Sequence, residues 1–140
     1  MDFKKLAIST LVGGLVFFFT GGIFYGLLLA DFFQSQLGPI QGLNREEPIL
    51  WALVLGNLFS GLLLSLIFSR WAGIKTAVSG AKAGAIICFL MALSYDLVFY
   101  SMTNMTTLIA TLVDPFVFAL MGALAGAAIG WILGRGEIAG

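Results

Sequence analysis

Apolar residues in this chain fall into four long runs separated by short polar stretches. The first extends from Leu6 to Ala30, the second from Ile49 to Phe68, the third from about Ala83 to Met102, and the fourth from Pro115 to Leu133. Each holds roughly 19 to 25 residues, enough at 1.5 Å per residue to cross a hydrocarbon core of about 30 Å. Lipid cannot satisfy a bare backbone amide, so each run is expected to be a helix. The pattern predicts an all-α integral membrane four-helix bundle, with residues 1–140 forming one four-span domain.

The polar stretches orient the spans. Lys4 and Lys5 precede the first, Arg70, Lys75 and Lys82 lie between the second and third, and Arg135 follows the fourth. Six of the seven basic residues thus fall on one side, with only Arg45 opposite. The positive-inside rule assigns that side to the cytoplasm and with it both termini, in a bacterial inner (plasma) membrane. The other side carries Asp31, Glu46, Glu47 and Asp114. Trp51, Trp71 and Trp131 stand near span ends, where an indole ring anchors well in the interface. The first run has the basic start of a signal peptide. However, it far exceeds a typical 7–15-residue h-region and no A-x-A-like site follows, so it is read as a retained span.

Composition agrees. Of 140 residues, 60% are apolar and 10% charged, and the mean hydropathy is +1.05; a soluble chain would be about 25% charged. Lipid is the expected surrounding medium. A net charge of zero implies no attraction to nucleic acid. The lone cysteine, Cys88, excludes an intramolecular disulfide and argues against dithiol chemistry. Histidine is absent, which removes the commonest metal ligand and the usual general base. No cofactor, metal centre or catalytic residue is expected.

The second and fourth runs open with an acid–proline pair, Glu47-Pro48 and Asp114-Pro115, followed at the same interval by Ala52-Leu53 and Ala119-Leu120. Proline suits a first helical turn and an acid before it can cap the free amides. Gly14 with Tyr25 and Gly84 with Tyr95 share one spacing in the other two. Two helical hairpins related by a parallel repeat would account for this; so would chance similarity between apolar helices. Gly122, Gly126, Gly130 and Gly134 recur every four residues, as do Gly22 and Gly26. Such a face lets a second backbone approach closely, either within the bundle or across a homo-oligomer or partner membrane protein.

Asp96, in Ser94-Tyr95-Asp96, is the most informative polar residue. A carboxylate near mid-bilayer costs about 2.5–3.5 kcal/mol, so it should face the bundle interior or water. Gly84, Cys88, Ala92 and Asp96 form one stripe of small residues, which marks a packed side. Counted by helical rise, Asn57 lies roughly 12 Å in from the outer end of its span, and Asp96 and Thr20 roughly 9 Å in from theirs, with Tyr25 and Asp114 nearer the surface. Thr20, Asn57, Asp96 and Asp114, with Tyr95 next to Asp96, are expected to form an outward-opening polar layer. Either Asn57 and Thr20 hydrogen-bond Asp96 and fix helix register, or Asp96 binds or relays a cation or proton. In the outer loop, Phe32, Phe33, Leu37, Ile40 and Leu43 are spaced for a short interfacial helix.

The end of the first span, Gly21-Gly22-Ile23-Phe24-Tyr25 followed by Leu28-Leu29 and an aromatic at Phe33, resembles the small four-span bacterial family called domain of unknown function 1761. That family carries Gly-x-x-Trp-Tyr, then Pro-Leu and Gly-Lys-x-Trp. This chain differs in having Phe24 for the tryptophan, Leu27 for the proline and Asp31 for a glycine. The resemblance implies a four-span fold and a membrane location. It implies no chemistry, since no activity is established for the family.

Three functions compete. The first is a small non-catalytic inner-membrane protein, an accessory or self-associating subunit built on the glycine faces. The second is a small ion- or proton-coupled transporter or channel using Asp96. The third is an intramembrane enzyme with Asp96 and Asp114 as a carboxylate pair, which has no nucleophile to go with it.

Overall fold

The computed structural model describes residues 2–38 and 42–136, and every regular element among them is helical. Helix α1 (Phe3–Ile23) is capped by Asp2, whose carboxylate accepts from the amides of Lys4 and Lys5 at 2.9 and 3.3 Å. It runs on through a π-helical turn, Phe24–Leu28, before a short α2 (Ala30–Ser35). Helix α3 (Leu50–Leu66) also ends in a π-helical stretch, Ile67–Ala72. Gly73 stops it with φ of 60°, a conformation that glycine adopts without a Cβ penalty. Thr76 caps α4 (Ala77–Met102) and Thr107 caps α5 (Leu108–Gly134), each through its hydroxyl oxygen.

Four of these units are long and apolar enough to cross a membrane: Phe3–Leu28, Leu50–Ala72, Ala77–Met102 and Leu108–Gly134, of 26, 23, 26 and 27 residues. The protein is a multi-pass membrane protein folded as a four-helix bundle. Its spans reach roughly 35–40 Å, longer than the apolar runs alone, because each helix carries polar residues past the hydrocarbon core. Lys82 consequently lies on α4, exposed, and not in the preceding loop. The largest shift is in α5, which starts seven residues before Pro115. That proline is buried inside the helix, and Asp114 caps nothing. Pro48 lies outside α3, which begins after Ile49 without a side-chain cap. The acid–proline landmarks of the suggested repeat thus sit at different depths in the two helices.

The helices pack as two antiparallel hairpins, α1 with α3 and α4 with α5, joined where α1 meets α5. Helix α5 is central: 44% of its most apolar stretch is buried, against 17% for each of the other spans. Phe17, Leu64, Phe68, Met121, Ile129 and Leu133 form the core between the hairpins. In lipid the association of helices is driven by close dispersion contact, since apolar side chains gain nothing by leaving hydrocarbon.

Glycine supplies that contact in both hairpins. A Cβ on Gly126 would stand 2.9 Å from the carbonyl carbon of Gly80 and 3.1 Å from Cα of Gly84; one on Gly84 would meet Gly122 and Gly126 equally closely. Gly130 abuts Thr76 and Gly80, and Gly134 abuts the backbone of Lys75. In the other hairpin Gly61 lies against Thr10, Gly13 and Gly14. The α5 glycines are therefore used inside this chain. At Gly22 and Gly26 an added Cβ would meet nothing within 4 Å, so these two remain an open face.

The basic residues Lys4, Lys5, Arg70, Lys75, Lys82 and Arg135 gather at one end of the bundle, where Lys5 reaches Gly136. Trp71 and Trp131 are exposed at this end and Trp51 at the opposite, acidic end, with the Arg135 guanidinium 4.1 Å above the Trp131 ring.

Candidate functional site

The α4–α5 seam determines what meets at the acidic end. On α4 the contact row runs Gly80, Gly84, Cys88, and on α5 the facing row runs Gly130, Gly126, Gly122. Residues four apart share a helix face, so the register set by Gly80 against Gly126 and Gly84 against Gly122 carries Ala92 and Asp96 to the level of Asp114 and Ala110. Asp96 is six residues from the end of α4 and Asp114 six from the start of α5, so each lies about 9 Å inside its helix. The two carboxyls are close enough to interact directly.

Helix α1 adds a third group. The Tyr25 hydroxyl, in the π-helical turn, donates to Oδ1 of Asp114 at 2.5 Å, and its ring lies 5.3 Å from that of Phe33. Asp114 is thereby held by a phenol. The Asp96 carboxyl lies against that of Asp114, and its Oδ2 is buried and makes no hydrogen bond. An unpaired buried carboxyl oxygen carries a desolvation cost of about 1–3 kcal/mol or more.

Both carboxyls open into a cavity of about 430 Å³ between α4, α5 and the segment after α1. Phe33, Leu37, Leu43 and Asn44 line it from that segment, and Tyr95, Phe99, Met105, Thr106, Ala110 and Thr111 from the α4–α5 corner. The Tyr95 and Phe99 rings are nearly parallel, 13° apart with centroids at 6.0 Å. Two bonds tie the covering segment down, the Gly38 amide to the Met105 carbonyl at 3.2 Å and the Thr107 hydroxyl to Oε1 of Gln36. Only Ala30–Ser35 of that segment is helical, and Phe33 faces the core instead of an interface; Ile40 lies outside the described residues.

Among the sequence candidates, the fold brings together Asp96, Asp114 and Tyr95. It does not bring in Thr20 or Asn57. The Thr20 hydroxyl donates to the Val16 carbonyl of its own helix at 2.6 Å, and the Asn57 amide to the Leu53 carbonyl at 2.8 Å. The reason is lateral order: α1 and α5 stand between α3 and α4, so a polar residue at matching depth on α3 faces the wrong neighbour. Tyr25, Phe33, Phe99 and Asn44 belong to the site although sequence reasoning does not assign them to it. For Tyr25 a signal exists, an amphipathic ring at the end of a span whose hydroxyl must find a partner nearby.

Chemically, the arrangement offers two adjoining carboxyls, one oxygen of which has no hydrogen-bond partner, beside an aromatic wall. Among the described residues no group of three or more His, Cys, Asp or Glu could hold a metal ion. No family model, curated protein or solved structure matches the chain, so the reading of this site rests on its own residues and geometry.

Proposed function

We propose that this is a small non-catalytic carrier of cations, with the basic end of the bundle in the cytoplasm and the acidic cavity opening to the opposite side. A single observation carries the reading: Asp96, one carboxyl oxygen of which is buried without a hydrogen-bond partner, lines together with Asp114 a cavity with room for a solute. Ionisable groups inside membrane spans are costly, and those facing a cavity mark ion or substrate pathways. The six basic residues at the other end support the orientation.

Charge displacement on a solid-supported membrane tests it. Concentration jumps of Na⁺, K⁺ and choline are applied to proteoliposomes of the protein and of Asp96→Asn. At least one cation should give a current that the variant reduces by tenfold or more. No current with any of them, or one unchanged by the substitution, contradicts the proposal.

A second reading, a self-associating or accessory subunit, is favoured by a different observation. Leu50 to Gly56 of α3 are exposed on every face, and Gly22, Gly26 and Gly56 all have open space around them. Small residues on an open helix face suit a second membrane helix. Native mass measurement should then find an oligomer that Gly22→Leu converts to monomer; a wild-type monomer excludes this reading.

A further inference from the structure

The cavity's walls say more about the cation than its charge. We infer that the site takes a small organic ammonium ion and not a bare metal ion, a conclusion that rests on the cation-carrier reading above.

Hard divalent cations need six or more oxygen ligands, or several retained waters in a polar shell. This cavity supplies two carboxyls, and much of its remaining wall is hydrocarbon and aromatic: Phe33, Leu37, Leu43, Tyr95, Phe99 and Met105. Such a surface strips water from an inorganic ion without replacing it. An alkylammonium ion has the matching character. Its charge pairs with Asp96 and Asp114 while its methyl groups lie against apolar walls. The nearly parallel Tyr95 and Phe99 rings add an aromatic surface, and cations held over such faces are attracted by the ring quadrupole. The volume, about 430 Å³, falls within the range of small-molecule sites and far exceeds what one dehydrated metal ion fills. Asp114 is held in place by the Tyr25 hydroxyl and Asp96 lies beside it, so the two carboxyls together supply the counter-charge.

Calorimetric titration of the full chain in lipid nanodiscs tests the assignment with three probes: choline, its uncharged isostere 3,3-dimethylbutan-1-ol, and Na⁺ or Ca²⁺ as chloride. Choline should bind at least tenfold more tightly than the alcohol. Phe99→Leu should weaken choline about threefold to tenfold, the span of a partly desolvated cation–π contact, and leave any Na⁺ binding unchanged. Asp96→Asn should abolish choline binding, with circular-dichroism melts confirming that both variants fold. Equal binding of the alcohol, or indifference to Phe99→Leu in a folded protein, overturns the organic-cation assignment. Binding of Na⁺ or Ca²⁺ through Asp96 without choline binding overturns it too, but spares the carrier reading. Should no cation bind, both fall.

Discussion

Gly126→Ala should lower the melting temperature of the detergent-solubilised protein sharply, although it adds one methyl group. The new Cβ would fall 2.9 Å from the Gly80 carbonyl carbon and 3.1 Å from Gly84 Cα, with the Gly80 carbonyl oxygen closer still. All three are backbone atoms, so no rotamer change relieves the clash and the helices must separate. Overpacking a tight core costs about 1–3 kcal/mol, occasionally more. Here the cost should sit at or above the top of that range, because separation weakens the dispersion contacts of the whole α4–α5 row. Gly22→Ala is the matched control, adding its methyl to open space, and should melt within a degree or two of wild type. If Gly126→Ala melted like wild type, the seam would not be as close as described, and the level at which Asp96 meets Asp114 would lose its basis.

Asp96→Leu should do the opposite and stabilise the fold while destroying the site. In the folded protein one oxygen of this carboxyl is buried without a hydrogen bond, and such a group costs about 1–3 kcal/mol. Leucine removes the unpaired atom and suits lipid and the apolar cavity wall alike. The expected gain is about 1–2 kcal/mol, read as a higher melting midpoint, together with loss of the cation-dependent current. A structural Asp96, holding helices in register, would behave differently: its removal would destabilise the bundle. Lower stability in both Asp96→Leu and Asp96→Asn would therefore assign it to the scaffold. Stability lost at a packing residue and gained at a site residue is the pattern expected where function is bought against stability.

The four helices are legible in the sequence because hydrocarbon imposes a simple rule on composition: an unbroken apolar run of the right length has to be a helix. Helix ends are less so. Leu108 to Asp114 reads as a polar-flanked approach to a proline, yet Thr107 caps a helix that runs through Pro115. Those seven residues are the difference between an Asp114 at the surface and one beside Asp96. The stripe Gly84, Cys88, Ala92 on α4 is visible as a packed face, and those residues are buried, as is Gly80 before them. The partner of that stripe is not visible, because helical periodicity tells which residues share a face and not which helix the face meets. Asn57 and Thr20 show the consequence. Depth along a helix can be counted from sequence, but the lateral order that puts α5 between α1 and α4 depends on close backbone approach, and that emerges only in three dimensions.

Site-directed labelling with a membrane-impermeant maleimide on intact bacterial spheroplasts tests the membrane arrangement most directly. Cys88, the chain's one cysteine, is buried in the α4–α5 seam and is replaced by alanine. Single cysteines are then introduced as Asn44→Cys, at the cavity wall, and Lys75→Cys, at the basic end. Asn44→Cys should label in intact cells and Lys75→Cys only after permeabilisation. Labelling of both in intact cells, or of Lys75→Cys alone, would contradict a four-span bundle with its acidic cavity facing outward.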